Sequence, residues 1–203
     1  VMDLLLAYKE NPTVRADDFN IPESGNGIPD ILDEVKYELD WLLKMQNSNG
    51  SVLSIVGVTN FGSASPPSAD NNQRLYGPAT TSASFTASAL FALGAIQFNS
   101  IGQTSYAAIL QTAAVNAYNW AVANPNVTFY NSGTIGAGEQ EVGSYEKFVR
   151  QMASACFLYS LTGNSAYKTY FENNYSQIHL MQWTFAYPFE AGAQNMMLFY
   201  ASL

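Results

Sequence analysis

Ile21-Pro22-Glu23-Ser24-Gly25-Asn26-Gly27-Ile28-Pro29-Asp30-Ile31-Leu32-Asp33-Glu34 is a turn-rich loop that runs straight into an amphipathic helix. Pro, Gly, Ser and Asn punctuate its first half and break any regular period. From Ile28 onward the apolar positions Ile31, Leu32, Val35, Leu39, Leu42 and Leu43 recur at helical spacing and form one stripe. Pro29 suits a first helical turn, where its missing N–H costs nothing. Asp30, Asp33 and Glu34 fall at the positive end of the helix dipole. Asp40 and Lys44 form an i,i+4 pair in the favourable orientation. Asn47-Ser48-Asn49-Gly50 stops the helix.

The same helical period extends to both sides. Val1, Leu4, Leu5 and Tyr8 read as the tail of a core helix that lacks an N-terminal cap. Ser51 to Gly57 is β-branched and alternating, which predicts a short extended segment, one arm of a small hairpin. Residues 60–72 are rich in Gly, Ser, Pro and Asn and read as loop. Helices are predicted over 80–98, 105–123, 141 or 144 to 161, 165–175 and 191–203, with Gly163 as a C-cap. The count is roughly seven helices with short to medium connections, an all-α domain of antiparallel helical hairpins spanning 1–203.

Composition narrows the function. The chain has 203 residues, 48% hydrophobic and only 12% charged, so a sizeable core is expected beneath a surface of neutral hydroxyl and amide groups. That surface suits neutral, hydroxyl-rich ligands. Eight scattered Lys and Arg against sixteen Asp and Glu, a net charge of −8, argue against nucleic acid and anionic membranes as partners. No apolar run is read as approaching the ~18 residues of a membrane span. Val1-Met2-Asp3 opens in helical pattern without a basic flank, so no signal peptide is read and the chain resembles a mature or cut piece.

Few side chains point to known chemistries. Cys156 sits among apolar residues at helical spacing and reads as a buried, inert thiol. His179 lacks Cys or His neighbours for a zinc set and reads as structural. No phosphate loop and no nucleophile elbow is present. Loop carboxylates Asp17, Asp18, Glu23, Asp70, Glu139, Glu141 and Glu190 are candidates for acid–base work, though Glu139 and Glu141 also suit dipole complementation at a following helix. A calcium loop is conceivable around Asp17, Asp18, Asn20, Glu23 and Asn26, all hard oxygen donors, although the twelve-residue calcium pattern is missing. Trp183, Phe185, Tyr187 and Phe189 form an aromatic patch in a loop, suited to stack on the apolar C–H faces of sugars. Tyr76 beside Gly77-Pro78 and Tyr145 at a helix start are further candidates for binding.

The loop Ile21 to Asp30, continued by Leu32-Asp33-Glu34 and Leu39-Asp40-Trp41-Leu42-Leu43-Lys44-Met45-Gln46, resembles family nine of the glycoside hydrolases, the inverting cellulases. Asn49-Gly50-Ser51-Val52, Gly77-Pro78-Ala79-Thr80-Thr81-Ser82-Ala83 and Leu158-Tyr159-Ser160-Leu161-Thr162-Gly163-Asn164 resemble further elements of that family. The similarity is closest to the branch with an N-terminal immunoglobulin-like module. It implies an (α/α)6 barrel, about half of it in this chain, a secreted enzyme, and cellulose or β-glucan chains as partner. It also implies a general base in an Asp-Ala-Gly-Asp motif ahead of the first helix and a general acid in a motif far downstream. Neither motif occurs in the 203 residues, so no catalytic residue is assigned here. The family's calcium site falls on Val149-Arg150, so no metal is expected there, and Trp183 falls near an aromatic subsite. Trp183, Tyr187, Tyr145 and Tyr76 are the expected substrate contacts. A half barrel leaves apolar faces uncovered, which predicts self-association. Two readings stay open beside this one: a non-catalytic glucan-binding or assembly module, and another carbohydrate-active enzyme on a helical toroid.

Overall fold

The computed structural model describes residues 1–60, 62, 65–136, 141–183 and 185–203. Glu139, one of the candidate carboxylates, lies outside them. The described residues form eight α-helices and one two-stranded ribbon. The helices are α1 (Met2–Glu10), α2 (Asp30–Met45), α3 (Thr81–Ser100), α4 (Thr104–Ala123), α5 (Ser144–Thr162), α6 (Ser165–Asn174), α7 (His179–Gln182) and α8 (Ala191–Ala201). Seven match the sequence reading. The eighth, α7, is a single turn, too short to leave a periodic trace.

Helix α3 is the centre. It packs on α1, α2, α4 and α5. Phe91, Leu93 and Phe98 are fully buried, each worth about 1.5–3 kcal/mol of transfer free energy. Small residues let neighbours close in. A Cβ on Gly94 would stand 2.7 Å from Leu39 Cδ1, so α2 and α3 touch where no side chain intervenes. Two serines at its helix contacts are partnered: Ser88 Oγ donates to Ala114 O (2.8 Å), and Ser154 Oγ donates to Ser88 Oγ (2.6 Å). The sequence reading found no apolar run near membrane-spanning length, yet Thr81–Ser100 is long and apolar enough. Packing explains it, since 78% of that apolar window is buried inside the protein.

Local signals act as expected at several ends. Gly163 ends α5 at φ 68°, while Thr80, read as the first helical residue, instead caps α3 by accepting from Ala83 N. Other details differ. Pro29 is the N-cap rather than a first-turn residue; its carbonyl accepts from Leu32 N and Asp33 N. Asp40 pairs with Lys36 (2.6 Å), not Lys44, because the Tyr106 hydroxyl on α4 fixes its other oxygen (2.8 Å). The extended segment is present, but its partner lies past a long loop. β1 (Val56–Gly57) pairs antiparallel with β2 (Leu75–Tyr76) in the register Val56↔Tyr76. Cys156 is fully buried, and burial pushes its thiol well above the ordinary range, consistent with an inert side chain.

Two measurements check this packing. Gly50 has φ +92°, and a Cβ there would meet Asn116 O at 2.5 Å, whereas Gly25 at φ +88° has nothing within 4 Å. Gly50→Ala is therefore expected to cost about 2–4 kcal/mol in urea unfolding and Gly25→Ala about 1 kcal/mol, the difference reporting the backbone clash. Burial also raises the Tyr170 and Tyr200 phenols from 10.0 to about 12. Groups raised on folding hold the protein folded below their unfolded value, so stability should stay level to pH ~10 and fall as pH rises towards 12 in alkaline melts.

Candidate functional site

The one-turn helix α7 brings three rings face to face. His179 opens it and Trp183 is its C-cap, four residues on, so both rings project from one side. The His179 ring stacks on Trp183 with centroids 4.0 Å apart and planes 22° off parallel. Tyr145, from the first turn of α5, covers the other face of His179 at 3.4 Å and 9°. The stack extends outward through the loop. Trp183 and Phe185 lie near-parallel at 6.4 Å, Tyr187 stands edge-on to both at 5.6 and 4.8 Å, and Phe189 stacks on Tyr187 at 4.9 Å. Phe185, Tyr187 and Phe189 are exposed, Phe189 at 75%. A row of exposed rings in a loop is a wall on which flat apolar faces can rest.

One carboxylate holds the inner end of this wall. Glu190 is only 6% exposed, and both its oxygens are used. His179 Nδ1 lies 2.9 Å from Oε1; since a carboxylate only accepts, the tautomer with Nδ1–H fits. The Tyr145 hydroxyl donates to Oε2 (3.3 Å) and accepts from the His179 backbone N–H (2.9 Å). Burial, with Glu190 alongside, raises the Tyr145 phenol above its ordinary value and keeps it a donor. Glu190 thus orients rings rather than facing solvent as an acid. His179, expected to be structural, is tied to Glu190 eleven residues away, a link with no trace in the sequence. For the ring stack, the spacing of His179 and Trp183 was the available signal.

The other candidates go elsewhere. Tyr76 is 58% exposed on β2, beside a cavity lined by Trp41, Val56, Asp70 and Arg74, and makes no ring contact with the wall among the described residues. Glu141 is held by the scaffold at the edge of a cavity. It accepts from Ser82 Oγ (2.5 Å), Val142 N (3.1 Å) and Phe129 N (3.2 Å), pinning the loop before α5 to the start of α3. Asp70 accepts from Asn72 N (2.9 Å) and pairs with Arg74 (2.9 Å), which in that order hold its carboxyl below the usual range. Asp17 accepts from Gly25 N (2.6 Å) and Gly27 N (2.8 Å), which lower its pKa likewise. Asp18 and Glu23 are exposed. A cavity of about 330 Å³ opens between α2, α3 and the loop bearing Phe129 and Glu141.

Comparison with known proteins gives a consistent picture. The profile of glycosyl hydrolase family 9 matches residues 1–202. Endoglucanase D of Acetivibrio thermocellus is 33% identical over 159 residues, covering 77% of this chain and 25% of that protein. A cellodextrinase of Butyrivibrio fibrisolvens is 31% identical over 165 residues, covering 81% of this chain and 28% of its own length. The crystal structure of a metagenome-derived family 9 endoglucanase superposes with a TM-score of 0.79 at 27% identity, over 97% of this chain and 35% of that one. The chain therefore spans a quarter to a third of the length of these relatives. The superposition also identifies the helical hairpins as part of the (α/α)6 barrel.

The orienting role of Tyr145 is open to direct test. Tyr145→Phe keeps the ring stack but leaves a buried Glu190 oxygen and the His179 N–H without their partner. It is expected to lower stability by about 1–3 kcal/mol in denaturant unfolding, against a smaller loss for the solvent-facing Phe185→Leu.

Proposed function

The chain belongs to glycosyl hydrolase family 9, and on that premise we propose that residues 1–203 form part of the catalytic domain of a β-1,4-glucan hydrolase. Its share in the work is the wall running from Tyr145 and His179 to Trp183, Phe185 and Tyr187. The single observation behind this is the continuous ring-to-ring row, buried at one end by Glu190 and exposed at the other. The pyranose C–H faces of a glucan are flat and apolar and match such rings in size and chemistry. Trp183 and Tyr187 are the proposed platforms, Tyr145 a support behind them. Tyr76 would serve a separate subsite beside Trp41.

Inverting hydrolysis needs one carboxyl to protonate the leaving oxygen and another to activate water, roughly 6.5–9.5 Å apart. Asp17, Asp70, Glu141 and Glu190 are each engaged in holding structure. The base and acid motifs that the family resemblance implies both fall outside residues 1–203, so we assign the acid and base to segments beyond them and expect this stretch alone to bind glucan without cleaving it. A polymeric substrate too large to enter a cell goes with a secreted enzyme, and the resemblance goes with an immunoglobulin-like module ahead of the catalytic domain. Self-association would run through exposed Leu4, Ile109, Val122 and Leu198 on α1, α4 and α8.

The alternative of a non-catalytic glucan-binding module uses the same wall, and one set of measurements separates the two. Affinity electrophoresis in hydroxyethylcellulose should show retardation that weakens about tenfold in Trp183→Ala, a loss of ~1.4 kcal/mol, with the melting temperature little changed. Retardation unaffected by Trp183→Ala but abolished by Tyr76→Ala would move the site to β2. A reducing-sugar assay should find hydrolysis in the longer enzyme and none in residues 1–203; robust, saturable hydrolysis by this stretch would place the acid and base within it, while none in the longer enzyme would favour the binding module.

A further inference from the structure

We propose that Asp17, Asp30 and Asp33 hold one calcium ion where the loop over residues 16–29 closes on the N-terminus of α2. This site is separate from the aromatic wall and does not depend on the glucan reading. Asp30 and Asp33 stand three residues apart in the first turn of α2 and share a face. The loop folds back to them, with Asp30 N donating to Ala16 O (3.0 Å) and Asp17 fixed by Gly25 and Gly27. As a result, Asp17, Asp30 and Asp33 each bring one carboxylate oxygen within 4.8 Å of the other two.

Asp30 is the observation that points to a ligand. It is 1% exposed. Its Oδ2 accepts from Phe19 N (2.6 Å) and Ser24 Oγ (2.8 Å), whereas Oδ1 is buried and has no hydrogen-bond partner. A buried carboxylate oxygen left bare is costly and uncommon. Asp17 and Asp33 add further negative charge close by, each with a carboxylate oxygen within 4.8 Å of one from Asp30. None of the ion pairs among the described residues includes Asp17, Asp30 or Asp33. The α2 dipole supplies roughly half a positive charge, too little for three carboxylates. Asn26 Nδ2 donates to Asp33 (3.1 and 3.2 Å) but brings no charge.

The donor set selects the ion. Three carboxylates without His or Cys favour a hard cation over zinc or copper. Calcium–oxygen bonds of about 2.3–2.6 Å place opposite ligands about 4.6–5.2 Å apart, a span that accommodates this cluster, and calcium tolerates an irregular shell completed by water. Magnesium demands a tighter, near-octahedral set. The loop donors Asp18, Asn20, Glu23 and Asn26, which the sequence suggested for calcium, are replaced by Asp30 and Asp33. Only Asp17 is common to both sets.

Chelator-stripped protein titrated calorimetrically with calcium chloride at pH 7, and separately with magnesium chloride, tests this. Calcium is expected to bind more tightly than magnesium and to raise the melting temperature by about 5–10 °C at saturation. Asp17→Asn and Asp33→Asn, checked for native circular dichroism, should each bind one calcium fewer per chain and lose most of that shift. No binding at calcium up to about 10 mM, beyond the range of weak protein sites, overturns the proposal. So does a preference for magnesium, or a stoichiometry unchanged in both variants. Should neither variant fold, crystals of the unsubstituted protein soaked in terbium chloride decide the matter. An anomalous peak among the three carboxylates supports the site, and its absence overturns it.

Discussion

The burial of α3 on nearly every side is the constraint on which the rest depends. A helix enclosed by α1, α2, α4 and α5 cannot carry charges and can carry few large side chains where its neighbours come closest. The sequence meets this with Ala, Ser and Gly between Phe and Leu. Gly94 lets Leu39 of α2 approach, and Ser88 ties α3 both to the Ala114 carbonyl of α4 and to Ser154 of α5. These buried hydroxyls are satisfied by one another and by backbone, so they fix the relative height of three helices without leaving an orphan polar group. Fixing α5 in turn fixes Tyr145 in its first turn, and Tyr145 is the post on which His179 and the aromatic wall lean.

The aromatic wall is tied to the scaffold by a short chain of cause. Glu190 immediately precedes α8 and is buried; His179 starts α7; Tyr145 lies in the first turn of α5. One buried carboxylate thus gathers the beginnings of three helices, and the stacking of Tyr145, His179 and Trp183 follows. Outside that anchored end, Phe185, Tyr187 and Phe189 stay open to solvent. A rigid base and an exposed edge are what a binding wall needs, since rings already ordered lose little further entropy when a ligand rests on them.

The long helices were legible in the sequence because period and punctuation agreed: the apolar stripe of α2 with Asn47-Ser48-Asn49-Gly50 after it, and Gly163 after α5. The aromatic patch was legible as a loop of alternating rings. What stayed hidden depends on tertiary partners. Asp40 chose Lys36 over Lys44 because Tyr106 arrives from another helix. Ser51 to Gly57 read as extended, but its partner at Leu75–Tyr76 lies beyond a loop whose length no local signal fixes. The link between His179 and Glu190 spans a one-turn helix and a loop, and nothing in their spacing announces it. Family membership was legible from the stretch at Ile21 to Glu34. Its acidic residues, which look like simple dipole complements in sequence, gain a second meaning only when Asp17 is brought against them.

The central claim is that the wall at Tyr145, His179, Trp183 and Tyr187 is where this chain meets a glucan. Nuclear magnetic resonance of the protein titrated with cellohexaose tests it most directly. The largest shifts are expected at the Trp183 indole, the Tyr187 ring and the His179 imidazole, with α3 and α4 silent. Shifts confined to Tyr76 and Trp41, or none at saturating oligosaccharide, would contradict it.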